Sequence, residues 1–266
     1  MSEPQATSRR FEERVAAVTG ASSGIGRAIA LRLAAEGARV ACFDLRAEPN
    51  DGGAETVAAI EAAGGEAIFE AVDVTRPDDL ERAVAATVER FGGFDAMVNN
   101  AGINIVEPSL EVSEEHWEAV LGVNAKGAFF GTQAALAPML ERGYGRVVNL
   151  ASNYGLFGVP RMAAYCAAKA AVINLTRAYA VEYGDRGILF NSVCPGATKT
   201  AINVDVREDA ELYADWGLRT PLRREGGEEF FGDVADVAAG VAFLASEENR
   251  FMTGSAMVMD GGWHAS

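Results

Sequence analysis

The stretch Thr19-Gly20-Ala21-Ser22-Ser23-Gly24-Ile25-Gly26 decides the fold, because it follows a short apolar run, Arg14-Val15-Ala16-Ala17-Val18, and leads straight into a helical pattern. The run before it has the length and apolarity of a buried strand. After it, apolar side chains recur at helical spacing from Ile25 to Glu36, through Ile29, Leu31 and Leu33, until Gly37 stops the pattern. A strand, a glycine-rich turn and a helix N-terminus make an anion site. Free N–H groups and the positive end of the helix point at a phosphate, and missing Cβ atoms let it approach. The spacing is G-x-x-x-G-x-G rather than G-x-G-x-x-G, so the match is to the mechanism and not to the letter. Gly20, Ser22, Ser23, Gly24, Ile25 and Gly26 are expected to cradle the pyrophosphate of a dinucleotide.

Working outward, strand-like and helix-like segments alternate as far as Asp260, which predicts an α/β chain with a parallel, doubly wound, Rossmann-type sheet, right-handed crossovers and helices on both faces. The expected buried strands are Val15–Thr19, Arg39–Phe43, Ala67–Val72, Ala96–Asn99, Arg146–Ala151, Leu189–Val193 and Ala256–Met259. The second of these runs into Asp44 and Leu45. A carboxylate there can accept hydrogen bonds from adenosine ribose hydroxyls and would repel a 2′-phosphate, so NAD is expected over NADP, with Arg46 leaving room for both.

Tyr165-Cys166-Ala167-Ala168-Lys169 places a phenol and an ammonium one helical turn apart on one face. A free tyrosine holds its proton at neutrality, and a fixed lysine cation beside it favours the phenolate, so the pair can move protons.

With these residues the chain resembles the classical short-chain dehydrogenase/reductase family over about Arg14 to Trp263. Further motifs recur in the family's order: Asp73-Val74 after the third strand, Asn99-Asn100-Ala101-Gly102 after the fourth, Asn124 on the next helix, Ser152 after the fifth strand, and Pro195-Gly196 with Thr198 and Thr200 after the sixth. The resemblance implies that Asp73 and Val74 meet the adenine, that Asn100, Ala101 and Gly102 line the cofactor cleft, and that Pro195, Gly196, Thr198 and Thr200 flank the nicotinamide. It implies catalysis by Ser152, Tyr165, Lys169 and Asn124. Ser152 would orient the reacting oxygen, Tyr165 would exchange its proton, Lys169 would lower the Tyr165 pKa and hold the nicotinamide ribose, and Asn124 would hold a water linking Lys169 to solvent. The run Ala151-Ser152-Asn153-Tyr154-Gly155 departs from the family's frequent Ser-Ser pair, which bears on the pocket and not on the chemistry.

Composition fits one catalytic domain, residues 14–266, preceded by a loose tail over residues 1–13, since 266 residues with 49% hydrophobic content can bury a single large core. A net charge of −15 argues against nucleic acid or an anionic membrane as partner. No segment has the roughly 20 apolar residues of a membrane span, and Met1 to Arg10 lacks a secretory apolar core, so a cytoplasmic location is expected. Cys42, Cys166 and Cys194 lack metal-type spacing and read as reduced thiols, with a reactive role for Cys166 the lesser alternative. His116 and His264 alone offer no metal site.

The variable segment at about 201–232 is expected to form a substrate lid, by resemblance. Tyr213, Trp216, Leu218, Phe230 and Phe231 could wall a pocket or simply pack the lid down, and Asn203, Asp205 and Arg207 could address hydroxyls. Tyr154, Phe157 and Met162, lying between Ser152 and Tyr165, are expected to touch the substrate, a medium-sized secondary alcohol, cyclic or sugar-like. The rivals are a 3-oxoacyl-carrier-protein reductase and a dinucleotide-sensing protein without turnover. A homo-oligomer, a tetramer by resemblance, is expected.

Overall fold

The computed structural model describes residues 9–50, 52–224, 226–227 and 229–265. Its strands are β1 (Val15–Thr19), β2 (Arg39–Asp44), β3 (Glu66–Ala71), β4 (Ala96–Asn99), β5 (Gly145–Leu150), β6 (Ile188–Pro195) and β7 (Ala256–Met259). Its helices are α1 (Gly24–Ala35), α2 (Thr56–Ala62), α3 (Pro77–Phe91), α4 (Glu114–Leu121), α5 (Gly127–Arg142), α6 (Ala163–Tyr183), α7 (Val204–Glu208), α8 (Ala210–Arg219) and α9 (Val234–Ala245). All strand pairings are parallel, in the order β3-β2-β1-β4-β5-β6-β7. The order reverses between β1 and β4, and a parallel sheet opens a crevice beyond its carboxyl ends at such a point.

Two-residue periodicity explains the layers. Ala16 and Val18 of β1 face one way, with Val40 and Cys42 of β2, and pack under Ile29 and Leu33 of α1 and Val237 and Val241 of α9. Ala17, Ala41, Phe43 and Met97 face the other way, under Leu80 and Val84 of α3, Leu136 and Met139 of α5 and Tyr179 of α6. Each fully buried Leu, Ile or Phe here contributes about 1.5–3 kcal/mol. Helix stops and starts are marked by the chain: Gly37 leaves α1 with φ +102°, and Asp233 caps α9 by accepting from Ala235 N while Asp236 accepts from Asp233 N.

Three expectations need correction. Residues 9–13 are not a loose tail: Phe11 is buried in the core, its N–H bonds Glu36 O at 3.0 Å, and Arg10 pairs with the buried Glu36 carboxylate at 2.6 Å. Residues 1–8 of the expected tail lie outside the described residues. Strand ends shift: β6 begins at Ile188 and runs on to Pro195 because its later residues pair with β7. And β3 and β7 are only partly buried, since each lies at a sheet edge and lacks a neighbour on one side.

Candidate active site

The glycine-rich turn is fixed by its own main chain. Gly20 and Gly24 take φ of +66° and +53°, a region that side chains rarely adopt. A Cβ on Gly26 would stand 1.9 Å from Gly20 O, so only glycine lets helix and turn close together. Thr19 Oγ1 accepts from Asn100 N and Ala101 N at 2.9 and 3.0 Å, while Asn100 Nδ2 donates to Thr19 O at 2.9 Å, tying the ends of β1 and β4 across the switch point. Asp44 is preset: its Oδ2 accepts from Ser22 N at 2.9 Å and its Oδ1 from Leu45 N at 2.8 Å. Ser22 Oγ donates to Arg46 O at 2.6 Å, and Ser23 Oγ accepts from Asn50 N at 2.6 Å. The Leu45 side chain is exposed and Ile25 packs on the core.

The remaining cofactor candidates are brought to the same crevice. Thr200 Cγ2 would lie 3.8 Å from a Cβ on Gly24, which sets Thr200 over the turn. Gly196, after buried Pro195, has Asp260 against it, and Thr198 Oγ1 donates to Gly196 O at 3.2 Å. Asp73 Oδ1 closes a turn by accepting from Thr75 N and Oγ1 at 2.9 and 2.7 Å, and Val74 is buried where Gly127 leaves it room. This crevice, with left-handed glycines at its base and a carboxylate at the end of β2, fits a dinucleotide.

A π-helical turn, Gly122–Lys126, separates α4 from α5 and carries Asn124. Such a turn adds a residue to the helix and turns a side chain toward a site. Asn124 Nδ2 donates to Val120 O at 2.9 Å and Ile103 O at 2.8 Å, and its buried Oδ1 has no protein partner. A Cβ on Gly102 would lie 2.7 Å from that Oδ1 and 3.4 Å from Lys169 Nζ, so Asn124 and Lys169 converge on Gly102. An unpaired buried acceptor beside an ammonium suits a bridging water.

Tyr165 and Lys169 share a face of α6, with Nζ 5.6 Å from the phenol ring centre. Lys169 is buried and donates to Leu150 O at 2.8 Å. Gly155 lets the turn after Ser152 lie against the Lys169 backbone, at 2.8 Å from a would-be Cβ. Burial pushes the Tyr165 phenol up to about 12, against a hydrogen bond from Ser152 that pulls it down. Burial likewise pushes Lys169 down to about 8. The expected lowering of the Tyr165 pKa is therefore not what burial gives: desolvation outweighs the Ser152 hydrogen bond and raises it. Burial also raises the thiols of Cys42 and Cys194, to about 12 and about 11, and the Tyr154 phenol.

Beyond Ser152, Tyr154 meets Phe157, Trp216 and Trp263 edge-on at 5.7, 6.4 and 6.0 Å, and Met162 Sδ accepts from Asn104 Nδ2 at 3.6 Å. Trp216 stacks on Phe231 at 6.0 Å, and Tyr213 lies 4.7 Å from Phe230. Of the aromatics in residues 201–232, Phe230 and Phe231 are buried as packing, and Trp216 reaches Tyr154. Asn203 and Arg207 are spent on the backbone, on Thr198 O at 2.6 Å and Thr200 O at 3.0 Å, and the Asp205 side chain lies outside the described residues. Sequence reading missed Asn104, Asp260 and Trp263. The Asp260-Gly261-Gly262 turn signal was visible, but its place beside Ser152 was not.

Among the described residues, no helix is long and apolar enough to cross a membrane and no three His, Cys, Asp or Glu side chains gather to hold a metal.

The family model described as enoyl-(acyl carrier protein) reductase matches residues 20–264. A 2,5-dichloro-2,5-cyclohexadiene-1,4-diol dehydrogenase of Sphingobium indicum is 39% identical, with 96% of this chain and 97% of the relative covered. An L-2,3-butanediol dehydrogenase of Corynebacterium glutamicum is 40% identical, with 94% and 98% covered. A solved structure of a candidate NAD(P)-dependent gluconate 5-dehydrogenase from Beutenbergia cavernae, with bound NADP, is 35% identical at a TM-score of 0.88, covering 98% of this chain and all of that one.

Proposed function

The chain belongs to the short-chain dehydrogenase/reductase family, and from that premise we propose that it is an NAD-preferring dehydrogenase of medium-sized secondary alcohols, cyclic or sugar-like. The observation that carries this reading is the convergence of Ser152, Tyr165, Lys169 and Asn124 below a crevice closed by Asp44 at its far end. A bound nicotinamide supplies a ring that takes or gives hydride at carbon. Everything else falls to the chain. Ser152 holds the reacting oxygen, and Tyr165 as phenolate takes the hydroxyl proton while hydride leaves the same carbon; in reduction the neutral phenol returns it. Lys169 holds the ribose, and Asn124 keeps a water between Lys169 and solvent.

Asp44 supports NAD, since its carboxylate is held in place by two backbone N–H groups and cannot swing away from a 2′-phosphate. The relatives' names support a small alcohol: a cyclic diol, an open diol and a sugar acid. The lid reading is supported by the segment's closed ends, where Gly232 N donates to Ala197 O at 2.7 Å and Lys199 N to Gly232 O at 3.0 Å. Assembly into an oligomer is supported by the partly open β7 edge and the fully exposed Phe251, and light scattering on the purified protein would detect it.

The test is NADH appearance from NAD⁺ across cyclic diols, 2,3-butanediol, sugar acids, steroids and 3-hydroxyacyl thioesters, with NADP⁺ in parallel. Turnover of diols or sugar acids with NAD⁺ is expected, rising with pH as Tyr165 ionises. Preference for NADP⁺ and thioesters would replace this reading with a carrier-protein reductase, and silence with every substrate would leave a dinucleotide-binding protein without turnover.

A further inference from the structure

We propose that Asn153, oriented by Asp260, is a positioning residue that competes with Tyr165 for the Ser152 hydroxyl proton. The inference rests on the dehydrogenase reading of this site. Ser152 Oγ donates to Asn153 Oδ1 at 3.3 Å and accepts from Tyr154 N at 3.2 Å. A serine has one proton to give, and it can go to Asn153 or to a tyrosinate, not to both.

An amide can turn either end toward a hydroxyl, and Asp260 decides which. Its carboxylate, almost wholly buried, only accepts, and it takes Gly262 N at 3.0 Å, His264 N at 2.9 Å and Asn153 Nδ2 at 3.5 Å, with the titratable His264 Nδ1 also against it at 3.1 Å. Asn153, 2% exposed, therefore presents Oδ1 to Ser152. The anchoring turn is itself well held. Gly196 makes room for Asp260, Leu222 N donates to Gly261 O at 3.0 Å, and Trp263 meets Trp216 edge-on at 5.5 Å. One turn thus touches the catalytic serine's neighbour, the cofactor loop and the lid.

Among the described residues, these groups bear on Tyr165. Lys169 and Cys166 lie on its own helix, and Ser152 and Tyr154 come from the loop after β5. From α4, Val120 and Leu121 pack against it and carry no charge. Ser152 is the group among these whose single proton Asn153 can redirect. With Asn153 in place, Tyr165 stays protonated to a higher pH than an unrestrained Ser152 would allow.

The experiment places 3,5-difluorotyrosine at position 165, whose phenolate absorbs distinctly, and follows its ionisation in the full-length protein without substrate or cofactor. Asn153→Ala is expected to lower that ionisation by about one pH unit, the worth of one hydrogen bond to the charged form. Asp260→Asn, which lets the Asn153 amide turn over, is expected to lower it in the same direction. Adding Ser152→Ala is expected to erase both shifts. Unmoved or raised ionisation in the variants that melt as folded proteins overturns the proposal, as does failure of both to fold, which would make the chain of bonds purely structural. Because no turnover is needed, absence of dehydrogenase activity in the parent protein counts against the function reading and leaves this titration intact.

Discussion

The glycine-rich turn and the segment from Lys199 to Gly232 both border the crevice, yet different forces hold them. At the turn, nearly every tether is a short hydrogen bond with a main-chain group on at least one side, and a missing Cβ at Gly26 is a condition of the geometry. In the latter segment, α8 is a short helix whose grip on the body comes from ring contacts among Tyr213, Trp216, Phe230, Phe231 and Trp263. Backbone tethers tolerate one arrangement, whereas aromatic faces can slide and repack at little cost. A fold built this way keeps the turn constant and lets the aromatic segment diverge, which fits relatives of similar sequence whose names give quite different alcohols.

The contrast can be tested from its strongest effect downward. On the proposed mechanism Tyr165 moves the proton, so Tyr165→Phe should lower kcat about 10³-fold while NADH binding, read by fluorescence, is retained. Gly26→Ala strikes the rigid region: with the Cβ driven into Gly20 O, stability should fall by about 3 kcal/mol in denaturant melts and cofactor affinity with it. Retained affinity would mean that the turn is as adaptable as the lid.

Lys169→Met is expected to abolish turnover and to raise stability at neutral pH by about 2 kcal/mol, because a buried ammonium is removed. The sign follows from its lowered pKa: below about 8 both folded and unfolded chains carry the proton, and folding bears the full cost of burying it. Between about 8 and 10.5 the unfolded chain binds more protons, so stability rises with pH, and melting temperatures across that window should lose this rise in the variant.

The smallest effect belongs to the adaptable region. Trp216→Leu should raise KM about tenfold, or 1.4 kcal/mol, with kcat and melting temperature little changed, since neighbouring rings can close over the smaller side chain. A large loss of kcat instead would show that the lid aligns the chemistry as tightly as the turn does.

Much of this was legible beforehand because its cause is local. Strand length, glycine spacing and helical periodicity around Thr19 to Gly37 depend on neighbours in sequence, and the structure places β1, the turn and α1 there. Phe11 was misread because a single aromatic among charged residues gives no periodicity; it is buried through contact with α1, which lies far along the chain. The Tyr165–Lys169 pair was visible as a spacing, but the direction of the Tyr165 shift was not, since desolvation depends on what the fold lays over a residue.

The sequence by itself determined the parallel sheet, the glycine-rich turn and the candidate residues able to move a proton, because periodicity, glycine and side-chain chemistry act over a few residues. Only the tertiary structure decided that Asp260 orients Asn153 beside Ser152, that Asn124 and Lys169 meet at Gly102, and that Trp216 reaches Tyr154. Those juxtapositions join segments tens of residues apart, and hydrogen-bond direction and burial exist only once the chain has closed on itself.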